Sequence, residues 1–112
     1  MTPTDLYSAA LAALTASRTT MLSPEWQAEL DGETPADRLA SSRALIAVQQ
    51  AILNLTDASL SDIGDQMVAN GADLAKYTAA LNQALKDITK IQTIIGDVSS
   101  LVATVAKILP LL

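Results

Sequence analysis

The chain has 112 residues with neither cysteine nor histidine, which excludes disulfides, thiolate chemistry and zinc ligation by those residues. Twelve acidic side chains against seven basic ones leave a net charge of −5. The basic residues (Arg18, Arg38, Arg43, Lys76, Lys86, Lys90, Lys107) are scattered, so no sequence cluster exists to neutralise the phosphates of a nucleic acid.

A length of this order predicts one all-helical domain over 1–112 with a single core. Half of the residues are apolar, and they are alanine and leucine rather than aromatic: there is no Phe, one Trp and two Tyr. Such a composition suits close packing of helix on helix better than a sheet sandwich. The N-terminus does not read as a signal peptide. Asp5 stands where a basic segment is required, and Arg18 interrupts the apolar run. Residues 9–14 are apolar but too short to cross a bilayer. The expected location is therefore the cytoplasm.

Thr2-Pro3-Thr4-Asp5 is a helix start, with Thr2 at the cap, Pro3 at the first helical position and Asp5 three residues after the cap. Leu6, Tyr7, Ala10, Leu11, Ala13 and Leu14 supply an apolar face, predicting a helix over about 3–20. Ser23-Pro24-Glu25-Trp26 repeats the start, and Gly32 follows Leu30-Asp31 as a stop. This gives a short helix over about 24–31, whose Trp26 and Leu30 share a face and plug one end of the core.

Thr34-Pro35-Ala36-Asp37 opens a third helix. Leu45, Val48, Ile52 and Leu55 form one stripe along it, with Leu39, Ile46 and Leu53 as a second stripe beside the first. So wide an apolar face is expected of a helix packed on more than one neighbour. From Leu60 to Leu109 a seam runs at alternating steps of three and four, through Ile63, Met67, Asn70, Leu74, Tyr77, Leu81, Ala84, Ile88, Ile91, Ile95, Val98, Val102 and Val105. Its period is helical throughout, and only Asn70 is polar.

Two places compete for the break before or within that seam. Thr56-Asp57-Ala58-Ser59 carries cap-forming residues and a one-residue shift of phase. Asn70-Gly71 is the stronger local stop, because glycine accepts the left-handed conformation after a helix end. Breaking there gives arms over about 35–70 and 72–109, matched in length, as a long antiparallel hairpin requires. The rival is one helix over about 60–109, roughly 75 Å long at 1.5 Å per residue. That helix would oligomerise as a coiled coil with Asn70 as a buried polar layer.

From 91 onward only Asp97 and Lys107 are charged. Ile91, Ile94, Ile95, Val98, Leu101, Val102, Val105, Ile108 and Leu109 form one broad apolar face, opposite a face of small residues (Gly96, Ser99, Ser100, Ala103, Ala106). Such a helix is expected to pack on both sides. Pro110 ends it, leaving Leu111-Leu112 as an apolar tail.

Nothing in the sequence points to catalysis, and the chain reads as a non-enzyme without cofactor or metal. Glu25, Glu29 and Glu33 offer carboxylates but no partner to shift a pKa. Asp57, Asp62, Asp65 and Asp73 lack the alternation and the final glutamate of a calcium loop. A di-iron bundle needs Glu-x-x-His pairs, and nucleophilic catalysis is left with only an unsupported Ser–Lys pair. No glycine-rich phosphate loop is present.

Two functional expectations follow. The first is a structural or interaction protein, with the nine apolar residues from Ile91 to Leu109 as its interaction face, a helical protein or a second copy as its partner, and no nucleic acid. One helix of 18 residues and a hairpin leave apolar area over on that face. The second is a membrane-active protein, a pore-forming or lysis-related component using residues 91–112. That stretch is long enough to span, although Asp97 costs about 2.5–3.5 kcal/mol near a bilayer centre. The size and hairpin plan are similar to those of small secreted helical proteins of the WXG type. Trp26-Gln27-Ala28 lacks their glycine and falls outside the hairpin turn, and no function is drawn from the similarity.

Overall fold

A computed structural model describes residues 2–109, and among these the chain is entirely helix and turn, without strands. Six helices follow in order: α1 (Pro3–Met21), α2 (Pro24–Asp31), α3 (Pro35–Asp57), α4 (Leu60–Ala69), α5 (Gly71–Ala84) and α6 (Ile91–Ile108). They form the small all-α bundle that composition and periodicity imply. Pro110 and the Leu111-Leu112 tail lie outside the described residues.

The three proline-led starts all form. Thr2 accepts from the Asp5 amide (3.1 Å) while the Asp5 carboxylate accepts from the Thr2 amide (3.3 Å), closing a capping box. Ser23 accepts from the Trp26 amide at 3.2 Å and Thr34 from the Asp37 amide at 3.2 Å, so α2 and α3 begin by the same device. The side chain of Trp26 is wholly buried, and its indole N–H donates to Ser41 Oγ at 3.0 Å. It thus closes the end of the core where α1 passes into α3, with the buried Leu30 beside it.

The direction of each arm follows from which ends meet. Tyr7, near the start of α1, donates its hydroxyl to the Leu55 carbonyl near the end of α3 (3.1 Å). Trp26, just beyond α1, meets Ser41 near the start of α3, so α1 and α3 are antiparallel. Pro3 faces Gly64 and Leu6 faces Gly71, while Ala9 shares a crevice with Ala79 and Asn82. The α4–α5 segment therefore runs along α1 in the same direction. Gln92 at the start of α6 donates to Asp37 at the start of α3 (3.3 Å), and Val105 near the end of α6 borders the same groove as Asn54 near the end of α3. The result is an up-down-up-down bundle of four arms: α1, α3, α4 with α5, and α6. It measures 44 × 27 × 18 Å.

This arrangement corrects the expected hairpin of 35–70 against 72–109. The chain reverses at Ala58-Ser59, where two consecutive extended residues (φ −76°, ψ 142° and φ −80°, ψ 132°) separate α3 from α4. It reverses again over 85–90, between α5 and α6. At Asn70 it only bends. The Asn70 amide still donates to the Gln66 carbonyl (3.0 Å) and its own carbonyl accepts from Leu74 (2.9 Å), so α4 and α5 meet at this one residue. No described glycine takes a positive φ, and Gly71 is the first residue of α5 rather than a left-handed stop. Its lack of a side chain serves another purpose: a Cβ there would lie 3.3 Å from Leu6 Cδ1, where α1 crosses the bend. Asn70 is half-buried and its amide group donates to Gln66 O, so it forms no buried polar layer.

The turn over 85–90 has neither Gly nor Pro to announce it. The Asp87 carboxylate accepts from both the amide and the hydroxyl of Thr89, a local bond that competes with continued helix. Those two hydrogen bonds, the hydroxyl's first, and then the nearby charge of Lys90 hold the Asp87 carboxyl below its ordinary value, against a small opposing effect of desolvation.

Candidate partner-binding groove

The sequence singled out nine residues of α6 as an interaction face, and the structure divides them. Ile91, Ile94, Val98, Leu101, Val105 and Ile108 are buried, each at most 1% exposed, because α6 packs along both α3 and α5 and also touches α1 and α4. The apolar area that a two-arm hairpin would leave over on α6 is covered by further neighbours. A two-arm hairpin leaves α6 half covered, whereas four arms surround its apolar face. Ile95, Val102 and Leu109 are half-buried and border the surface. They lie seven residues apart, so they form one edge of α6.

The small face of α6 was expected to be packed as well, and it is open. Gly96, Ser99, Ala103 and Ala106 are exposed, and a Cβ on Gly96 would meet nothing within 4 Å. Between α3 and the Val102, Val105, Ala106 and Leu109 end of α6 runs a groove of about 730 Å³. Ala51, Ile63, Val102, Val105 and Leu109 supply its apolar lining. Ala47 and Ala106 flank it with side chains too short to obstruct an approaching helix, while Gln50, Asn54 and Ser59 add hydrogen-bonding groups. Asp57 and Asp62, both exposed, stand at the end where α3 hands over to α4, and no basic residue lines the groove. The groove has the size and the mixture of apolar surface and sparse polar groups that recognition sites use.

The second stripe of α3 is also placed differently from expectation. Leu39, Ile46 and Leu53 face solvent, at 51%, 66% and 59% exposure. Val48, Ile52 and Leu55 of the first stripe are buried and Leu45 is half-buried, so the wide apolar face of α3 is half core and half surface.

The carboxylates weighed for chemistry are dispersed. Glu25 and Asp57, Asp62, Asp65 and Asp73 are exposed, with Glu29 and Glu33 half-exposed. Among the described residues no three acidic side chains gather as a metal-binding group. Among the described residues one buried side-chain polar atom is left without a partner, the Thr78 hydroxyl, in a crevice of about 160 Å³ between α1 and α5. By length and composition α6 is apolar enough to cross a membrane, and its apolar face is here the centre of the bundle. Comparison with family models, with curated proteins and with solved structures found no match.

Proposed function

We propose that this chain is a non-enzymatic interaction protein that docks an amphipathic helix in the groove between α3 and α6. The observation that carries the reading is the groove itself: an open trough with an apolar floor, small flanking side chains and two uncompensated carboxylates at one end. Helix-in-groove recognition uses these properties, with apolar anchors spaced three or four residues apart on the incoming helix. The carboxylates of Asp57 and Asp62 favour a partner that carries Lys or Arg at that end. The face expected from the sequence thereby contracts to the Val102, Val105 and Leu109 end of α6 and gains one wall of α3.

The test is a nuclear magnetic resonance titration of the labelled protein with two designed 18-residue helical peptides. They share a Leu/Ala face, and their polar faces are Lys in one and Glu in the other. Shifts concentrated on Ala51, Val102 and Ala106, larger with the Lys peptide and abolished by Ala106→Trp, support the reading. Absence of groove shifts with either peptide at millimolar concentration refutes it.

A membrane-active role is the second reading, favoured only by the length and apolarity of α6. It requires that helix to leave the core, since its long apolar side chains have no other route to lipid. Vesicles added in place of peptide address it: release of α6 from the bundle supports insertion, and an unchanged spectrum counts against it.

A further inference from the structure

We propose that the outer face of α3 is a self-association surface, on which a second copy of this chain packs its own α3 antiparallel about a twofold axis through Ile46. The proposal rests on reading the chain as an interaction protein, but it centres on a stripe of α3 beside the groove, sharing only Gln50 and Asp57 with the groove's rim, and names a different occupant.

Leu39, Ile46 and Leu53 are more than half exposed, in a molecule whose other apolar stripes are mostly covered. Their seven-residue spacing places them in a line along α3, about 21 Å from first to last at 1.5 Å per residue. A repeat of seven keeps a seam facing a neighbouring helix, whereas scattered exposed leucines need no explanation. The stripe is also symmetric in sequence about its middle residue. An antiparallel copy therefore brings Leu39 opposite Leu53 of the partner and Ile46 opposite itself, as an isologous contact requires.

Charge selects this orientation over the parallel one. The basic groups of the outer face, Arg38 and Arg43, lie in the first half of α3, and Asp57 lies at its end. In the antiparallel pair Asp57 approaches the amino end of the partner helix, where the helix dipole is positive and Arg38 stands one turn in. Arg43 then lies on the same flank as the partner's Gln50, whose amide oxygen accepts, and Ser42 on the same flank as the partner's Gln49. A parallel pair would set Asp57 beside Asp57 at one end and gather the Arg38 and Arg43 of both copies at the other. The contact involves one helix from each copy and is small, so the dimer is expected to form only at tens to hundreds of micromolar chain.

Two experiments on the full chain decide it. Sedimentation equilibrium from 5 to 500 µM is expected to give a concentration-dependent dimer. The exposed Ile46→Glu is expected to remain monomeric over that range with an unchanged helical spectrum. The absence of native cysteine allows orientation to be read by disulfide trapping. Ile46→Cys should crosslink to itself, and a mixture of the Leu39→Cys and Leu53→Cys chains should give mixed dimers well in excess of either homodimer. A chain that stays monomeric at 500 µM overturns the proposal. So does a dimer that survives Ile46→Glu, or preferential trapping of Leu39→Cys to itself. Peptide binding is read on Ala51, Val102 and Ala106, none of which lies in the α3–α3 contact, so failure here leaves the groove reading to its own test.

Discussion

Replacing Leu101 by Ala separates a core role for α6 from a role in association alone. Leu101 is fully buried, on the face that α6 turns to the other arms. Truncation removes three carbon groups, which at about 0.8 kcal/mol each is roughly 2.4 kcal/mol of lost transfer energy. If the surroundings relax only partly, a residual void of roughly 50 Å³ adds about 1.2 kcal/mol at 24 cal/mol per Å³. The expected loss is therefore about 3–4 kcal/mol, set against a total stability of roughly 6–17 kcal/mol for a chain of this length. Urea unfolding followed by helical circular dichroism and by the fluorescence of Trp26 measures it. Between about 1 and 5 µM chain, below the range of the α3 dimer, both probes should give one midpoint, lowered to the same extent and independent of protein concentration. Ile46→Ala, on the exposed face of α3, should change stability by less than about 0.5 kcal/mol. A Leu101→Ala loss below about 1 kcal/mol, or a midpoint that rises with protein concentration within that low-micromolar range, would refute the placement of this face in a monomeric core.

Three further outcomes follow from individual groups. Ser41→Ala leaves the buried indole N–H of Trp26 without its acceptor and should cost about 1–3 kcal/mol in the same unfolding assay. Thr78→Val removes the unpartnered hydroxyl at nearly constant shape and should stabilise by about 1 kcal/mol; destabilisation of that size would mean that the hydroxyl is bonded in solution. Asp87 has its carboxyl held low by the two Thr89 hydrogen bonds, so its contribution is complete above the ordinary aspartate range and is lost as pH falls through the lowered value. The Thr89 amide resonance should accordingly titrate with a midpoint below the ordinary value of 3.8, and a midpoint at or above it would show that the turn bond is absent.

Much of the local structure was legible because its signals are chemical and short-range. Each proline-led start produced a helix within a residue of its expected position, and Trp26 closes the end of the core as its spacing with Leu30 implied. The reversals were harder. Asn70-Gly71 is a familiar stop, yet Gly71 is required by the approach of Leu6 from α1, a contact separated by 65 residues and invisible locally. The true turn at 85–90 interrupts a seam whose phase does not slip, because Ile88 keeps the step from Ala84 to Ile91 while lying outside any helix. Its cue is the Asp87-Ile88-Thr89 triplet, which a helix-phase count passes over.

The positions of the turns also decide how much of the α6 face is covered. With two long arms, α6 has apolar area to spare; with four, that area is the core and the unspent apolar surface lies on α3. Periodicity specifies how much apolar face each helix has. Which helices come to cover it depends on where the chain turns. The open small face of α6 was equally ambiguous, since glycine, serine and alanine suit a close-packed neighbour and a shallow docking surface alike.

Amide hydrogen exchange along α6, measured at a few micromolar where the chain is a monomer, tests the central claim most directly. If α6 is the core of the single chain and its contacts with others lie outside it, the Val98–Val105 amides should be among the slowest to exchange. They should remain so in Ile46→Glu and in the presence of vesicles. Rapid exchange of these amides in the monomer, with protection gained only at high concentration or on lipid, would contradict the account.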